Sequence, residues 1–372
     1  MKAFVLKERG VVEYIEKDKP VLEASHGVIL KPVLVAPCTS DVHTVWMGSP
    51  KRRNLTLGHE CVAEVVEVGS DVHDFKVGEI VAVPAITPDW GCDGVEKNYA
   101  HAGVNFSAHM LGKSIDGAFQ EFFYMPYADK NLAHIPDGVS LEAALMCVDV
   151  VATGFTCVEE AGINPGDTVC VMGIGAIGLA AIMGAFYKGA SKVYAIGSRA
   201  ENVEIAKSLG AEVLNYKECN CELPTQMHPL ANSTGSKVVN KVLTETGTKG
   251  VDKVLICGGS DEALPQAVDM VKYGTGTVVN VMYYGAKDVP DGEIDCIKIP
   301  KFSMGRGMAN KTLKFVLSRG GRLWLENLLE LCKEGKIHPE CLITRHYKGL
   351  DNVERALYDM KNREAIKVAV EY

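Results

Sequence analysis

The chain has 372 residues, of which 47% are hydrophobic and 23% charged, with a formal net charge of -8. That length exceeds one ordinary core and predicts two or three domains with a large buried interior, in a composition typical of globular proteins. The modest acidity is spread along the chain and no apolar run approaches the ~20 residues of a membrane span, so neither nucleic acid nor a membrane is an expected partner.

Residues 1 to about 150 are dense in short Val/Ile runs broken by Gly, Pro and Asp: Gly27 to Val35, Val62 to Gly69 and Val77 to Val83. Runs of that length and punctuation predict a β-rich domain. From about residue 165 the texture changes. Strands are predicted over Thr168 to Met172, Lys192 to Ile196, Val213 to Tyr216, Val254 to Cys257 and Thr277 to Val281, spaced by helix-length segments. Such alternation predicts a parallel sheet covered by helices, an α/β architecture. Leu179 to Lys188, stopping at Gly189, and Glu201 to Leu209, stopping at Gly210, read as two of those helices. The stretch Cys219 to Lys237, with Pro224, Pro229, Asn232, Ser233 and Gly235, is polar and aperiodic and reads as a surface insertion. Leu323, Leu325, Leu328, Leu329 and Leu331 before Gly335 predict an amphipathic helix, and Ile366 to Val370 a last strand; both are assigned to the first domain, to which the chain returns.

The 12 cysteines are scattered from Cys38 to Cys341 without repeated CxxC pairing, and Met1-Lys2-Ala3 opens no secretory signal. A reducing cytoplasm is the expected compartment, with most thiols serving as small buried hydrophobes.

The predicted strand ending at Met172 runs into Gly173-Ile174-Gly175-Ala176-Ile177-Gly178 and then a helix, the context a dinucleotide fingerprint requires. The first glycine suits a tight turn, the second lets a pyrophosphate approach backbone N–H groups at a helix N-terminus, and the third lets helix and strand pack closely. NAD sites place an acid about 20 residues on, where it binds the ribose hydroxyls. Here the second strand ends instead in Gly197-Ser198-Arg199, with no carboxylate to repel a 2'-phosphate, room at Gly197 and a guanidinium able to grip it. NADP is therefore the expected dinucleotide, the alternative being that Arg199 merely starts the next helix in solvent.

Early in the chain stand Pro37-Cys38-Thr39-Ser40-Asp41-Val42-His43 and Gly58-His59-Glu60. A thiolate and an imidazole are good zinc ligands, and a catalytic ion needs about three protein ligands. Spacing alone leaves open that Cys38 is a buried thiol and His59 a satisfied core histidine.

The runs Ala36 to Val45, Leu57-Gly58-His59-Glu60 and Val83 to Trp90, together with the glycine loop, resemble the zinc-containing medium-chain dehydrogenases, and among those the microbial NADP-dependent secondary-alcohol dehydrogenases. The likeness extends through Thr153-Gly154-Phe155, Gly197-Ser198-Arg199, Asn215-Tyr216-Lys217, Gly307-Met308-Ala309 and Gly320-Gly321-Arg322-Leu323. It implies a β-rich GroES-like catalytic domain over residues 1–151, completed by 317–372, and a doubly wound Rossmann domain binding NADP over 152–316. It implies one catalytic zinc ion held by Cys38, His59 and Asp149, with Glu60 able to join or leave it, and a proton relay through Ser40 and His43. On the cofactor side it implies Ser198, Arg199 and Tyr216 at the 2'-phosphate, Val281, Met282 and Tyr283 along the dinucleotide, and Lys367 reaching it from near the C-terminus. The implied activity is hydride transfer between NADP(H) and an alcohol or its ketone or aldehyde, in a homotetramer.

The departures bear on this. Ala63 replaces the glycine that closes the family's GHExxG. Relatives carry four close cysteines for a structural zinc, whereas Pro88 to Gly117 holds only Cys92, so no structural zinc is expected. The segment Tyr99 to Ser114, with Phe106, His109 and Met110, diverges, and Met304-Gly305-Arg306 replaces a more apolar stretch, where Arg306 reads as solvent-facing or as the partner of a polar substrate. Two other readings remain: a zinc-free medium-chain NADPH reductase, which would lack the set Cys38, His59 and Asp149, and a non-catalytic nucleotide-binding protein of the same fold, against which Ser40 and His43 argue.

Overall fold

The computed structural model describes residues 1–47, 53–88, 90, 111–222, 232–285 and 294–372, in two units: Met1–Ala152 with Ser318–Tyr372, and Thr153–Leu317. The first unit is built on strands whose apolar residues are buried on both faces, as in Val28–Ala36. Its larger sheet runs in the order Ile343–Lys348, Lys367–Glu371, Val28–Ala36, Glu60–Val68, Ile80–Val83, Ala133–His134, with Phe123–Met125 paired to the start of Val28–Ala36. A smaller antiparallel sheet holds Val11–Glu16, Lys2–Glu8 and Leu55–Thr56. Between them lies a core of Phe4, Leu30, Val35, Leu57, Phe119, Phe123 and Val368. The predicted Leu-rich helix is Arg322–Lys333, and it buries Trp324, Leu325, Leu328 and Leu329.

Two pairings in this sheet decide where the chemistry gathers. Ala36 is opposite Glu60 in the antiparallel register of Val28–Ala36 with Glu60–Val68. The end of one strand therefore lies beside the start of the next, and the segments that carry Cys38 and His59 leave the sheet at the same edge. Strand Lys367–Glu371 pairs antiparallel on the other side of Val28–Ala36, through Val370 with Val35, which brings its first residue to the same end.

The second unit holds six parallel strands in the order Glu212–Leu214, Lys192–Ile196, Thr168–Met172, Lys253–Ile256, Thr277–Asn280, Thr312–Phe315. In chain order this is third, second, first, fourth, fifth, sixth, the doubly wound arrangement of dinucleotide-binding sheets. Helices Ala176–Tyr187, Ala200–Ser208, Lys237–Glu245 and Ala263–Met270 connect the strands. Of the expected insertion, residues 223–231 lie outside the described residues. Its end is a helix start: Asn232 Nδ2 donates to Ser236 O and to Asn240 Oδ1, and Ser236 caps Lys237–Glu245 by accepting from Val239 N.

Against the expectation of no membrane-length apolar run, the 21 residues Leu141–Ala161 form a helical stretch long and apolar enough for one. Of its 18 most apolar consecutive residues 89% are buried, so its hydropathy reflects packing inside the protein. Its helical period is hidden in the sequence because residues Cys147–Val151 adopt a π turn between α-helical segments Leu141–Met146 and Ala152–Ala161. One extra residue in a turn shifts the apolar stripe out of 3.6-residue phase.

Candidate active site

Cys38 is the N-cap of helix Thr39–Trp46, held in extended backbone conformation with φ -107° and ψ 156°. Its sulfur accepts from Ser40 N at 3.4 Å, while its own N–H donates to Asp41 Oδ2 at 2.9 Å. An acid three residues past an N-cap can answer orphan amides at a helix start, and Asp41 does so with the side chain buried. His59 follows Gly58, whose φ of +93° and lack of a Cβ let the Phe119 ring lie against it; a Cβ there would sit 2.5 Å from that ring. Asp149 projects from the π turn, a distortion frequent at functional sites.

Three elements distant in sequence thus deliver donors to one place. One ligand atom from each of Cys38, His59, Glu60 and Asp149 lies within 4.8 Å of every other, and all four side chains are buried. Cys38 Sγ is 3.3 Å from Asp149 Oδ2, and His59 Nε2 is 3.9 Å from the same oxygen. Ser40 Oγ is 3.0 Å from His59 Nε2. At the other ring nitrogen, Asp41 Oδ1 lies 3.4 Å from His59 Nδ1, which makes no hydrogen bond; the charge is close enough to favour the proton on Nδ1 and leave Nε2 its lone pair.

The electrostatics describe a site with excess negative charge. Burial pushes the Cys38 thiol up to about 11, aided by the Asp149 carboxylate. Burial also raises Glu60 well above the usual carboxylate range, with Cys38 and Asp149 adding to it against the opposing Lys367. Burial opposes the charged forms of His59 and Asp149 as well, but their neighbours outweigh it: carboxylates raise His59, and His59 with Lys367 lowers Asp149. Lys367 Nζ donates to Glu60 Oε1 and, at 3.0 Å, to Pro37 O. The ammonium expected at the cofactor is directed here into the carboxylate cluster. Glu60 Oε2 remains buried with no hydrogen-bond partner.

Asp41 is a site residue that the sequence reading missed, although the spacing Cys38-x-x-Asp41 at a helix start was the available signal. Cys92, Phe106, His109 and Met110 lie outside the described residues. Arg306 is exposed, in left-handed backbone with φ 53°, and its guanidinium lies 4.7 Å from the Phe302 ring centre.

In the second unit each fingerprint glycine meets a different constraint. Gly173 has φ +83° and abuts Gly258, whose backbone a Cβ would approach to 2.5 Å. A Cβ on Gly178 would sit 2.0 Å from Gly173 O, whereas one on Gly175, the N-cap of Ala176–Tyr187, would meet only Arg199 Nη2 at 3.9 Å. The face of Gly175 is therefore open, and the Arg199 guanidinium flanks it. Ile174 O accepts from the buried Asn202 Nδ2 at 2.6 Å, which ties the loop to the next helix. The room expected beside Gly197 is taken by Ile174, whose Cγ1 would be 2.1 Å from a Cβ there. Arg199 caps helix Ala200–Ser208 by position, and Tyr216 is 54% exposed. Val281 N donates to Ile256 O at 3.0 Å, Met282 O accepts from Asn280 Nδ2 at 2.8 Å, and Tyr283 is exposed.

Comparison with known proteins agrees with both units. Residues 24–137 match the family model "Alcohol dehydrogenase GroES-like domain" and residues 176–332 match "Zinc-binding dehydrogenase". The "NADP-dependent isopropanol dehydrogenase" of Thermoanaerobacter brockii is 42% identical, covering 98% of this chain and 97% of that one. The protein of the same description from Clostridium beijerinckii is 40% identical over 100% of this chain and 99% of its own. Among solved structures, the alcohol dehydrogenase TADH from Thermus sp. ATN1 superposes with a TM-score of 0.79 at 26% identity, covering 100% of this chain and 99% of that one. The chain belongs to the zinc-containing medium-chain dehydrogenase/reductase superfamily, close to its NADP-dependent secondary-alcohol dehydrogenases.

Proposed function

We propose that this chain is a zinc-dependent, NADP(H)-linked alcohol dehydrogenase that interconverts a small secondary alcohol and its ketone. The observation that carries the reading is the convergence of a thiol, an imidazole and two carboxylates within 4.8 Å in a buried site. The substrate class rests on the two relatives described as NADP-dependent isopropanol dehydrogenases.

The donor set fits zinc. Bonds of about 2.0–2.3 Å to a tetrahedral ion set ligand atoms about 3.3–3.8 Å apart. The 3.3 Å between Cys38 and Asp149 agrees with those edges, and the 3.9 Å between His59 and Asp149 lies just beyond them. Cys38, His59 and Asp149 would hold the ion, and the orphaned Glu60 Oε2 is the donor in reserve. Zinc bound there supplies Lewis-acid polarisation of the substrate oxygen, and NADP(H) supplies or accepts the hydride. Ser40 Oγ takes the proton of the substrate hydroxyl as it releases its own hydroxyl proton toward His43. His43 lies three residues on along the same helix, hence on the same face, and passes that proton to water. Burial, with the Lys113 ammonium nearby, lowers the pKa of His43, which keeps the ring neutral and able to accept.

On the dinucleotide side, Gly173 to Gly178 bind the pyrophosphate, and Ser198, Arg199 and Tyr216 bind the 2'-phosphate. The open face of Gly175 beside the Arg199 guanidinium supports this. We assign one zinc per chain and no structural zinc, since Cys92 alone among cysteines stands between Pro88 and Gly117. The homotetramer and the cytoplasmic location belong to the same reading through family resemblance.

The test combines elemental analysis with NADPH oxidation in the presence of a small ketone, with and without a chelator. One zinc per chain and chelator-sensitive turnover are expected. Turnover by a metal-free protein would instead identify a zinc-free reductase, and absence of turnover with metal and NADPH bound would identify a non-catalytic relative. Cys38→Ser or Asp149→Ala should lose both metal and turnover; retention of both would refute the ligand set.

A further inference from the structure

Most described thiols end on oxygen atoms or in apolar packing. Cys61 Sγ donates to Val62 O, Cys219 Sγ to Lys237 O, and Cys170 is wholly buried. Cys147 and Cys332 differ. Their sulfurs are 3.5 Å apart although 185 positions separate them in the chain. Cys147 is closed to solvent on the π turn, two residues before Asp149, whereas Cys332 is partly exposed near the end of helix Arg322–Lys333.

We infer that Cys147 and Cys332 are a modification site: a dithiol pair that peroxide closes to a reversible disulfide, clamping the Asp149-bearing turn to helix Arg322–Lys333. A disulfide needs the sulfurs at about 2.05 Å, an approach of about 1.5 Å from their present separation, which side-chain rotation at Cys332 near a helix end can supply. Exposure sets the order of events. Hydrogen peroxide meets the partly exposed Cys332 first and transfers one oxygen to its sulfur, giving a sulfenic acid and one water. Cys147 Sγ then attacks that sulfur; the S–O bond breaks, the S–S bond forms, and hydroxide leaves with the Cys147 proton as a second water. The sum is two thiols and one peroxide giving one disulfide and two waters, with both sulfurs oxidised and the peroxide reduced. Cytosolic disulfides of this kind are transient and are reversed by dithiols.

Oxidation of the pair does not require a bound metal, and neither does its detection. The full-length protein is treated with equimolar hydrogen peroxide, free thiols are blocked with N-ethylmaleimide, and peptides are mapped by mass spectrometry without reduction. The expected result is a cross-linked pair containing Cys147 and Cys332, two hydrogens lighter than the sum of its peptides and abolished by dithiothreitol. In Cys332→Ser the same treatment should leave Cys147 free and blocked by the maleimide. Three results would overturn the proposal: Cys332 driven to sulfinic acid beside a free Cys147, no linked pair at all, or a link confined to other cysteines.

Discussion

Lys367 Nζ donates to Glu60 Oε1 across 307 positions of sequence, and both side chains are closed to solvent, at 2% and 0% exposure. Two strands that flank Val28–Ala36 supply the two partners, so the ion pair forms only when that sheet is assembled. Without its ammonium, Glu60 would face Cys38 and Asp149 with only His59 to offset them.

Lys367→Met should therefore cost about 3–5 kcal/mol in denaturant unfolding, the penalty of leaving one buried charge unpaired. The double variant Glu60→Gln with Lys367→Met should recover more than half of that loss. A single-variant loss below about 1 kcal/mol would show that the pair is not what holds the carboxylate.

Arg199→Ala tests the phosphate assignment. A charged hydrogen-bond partner contributes about 1.5–3 kcal/mol, so the KM for NADPH should rise by about tenfold or more. The KM for NADH, which has no 2'-phosphate, should stay within about twofold. Equal changes for the two dinucleotides would remove Arg199 from the phosphate pocket.

The two glycines of the loop should behave differently. Gly178→Ala places a methyl 2.0 Å from Gly173 O and should destabilise the protein by about 1–3 kcal/mol, as overpacking does. Gly175→Ala meets only Arg199 Nη2 at 3.9 Å and should melt like the parent while binding NADPH more weakly. Thermal melts of both, with NADPH titration of the second, decide the matter; identical Tm losses would contradict the geometry.

Lys311 gives a pH dependence. Burial pulls it from the ordinary lysine value of 10.5 to about 8, with Asp269 opposing. Below both values the folded and unfolded chains hold the proton alike, and the burial penalty is present in full. Between them the unfolded chain binds more protons, so stability rises with pH through that window. The urea midpoint of the wild type relative to Lys311→Met should increase from pH 8 to pH 10. A difference that stays flat would mean that Lys311 titrates normally.

Much of the architecture is legible in the order of the residues, because local rules govern it. Strands Thr168–Met172 and Lys192–Ile196 have the bounds their Val/Ile runs predict, and the glycine loop falls between strand and helix as its spacing requires. The helix Leu141–Ala161 is not legible in that way, since a π turn at Cys147–Val151 breaks its period. The insertion is legible only in part: its polar end at Asn232 and Ser236 starts a helix, a role that local composition does not distinguish from loop.

Residue types and their spacing determined that the chain carries a dinucleotide loop, a second strand ending without an acid, and a thiol and an imidazole able to ligate metal. They could not determine that these last two meet, nor that Asp41 stands at His59 Nδ1 and Lys367 at Glu60. Those contacts follow from antiparallel register, which sets Ala36 against Glu60 and Val35 against Val370. A side chain's chemistry belongs to its own residue, whereas its burial, its counter-charge and its distance to other donors are set by strands paired across hundreds of positions, and only the folded sheet specifies them.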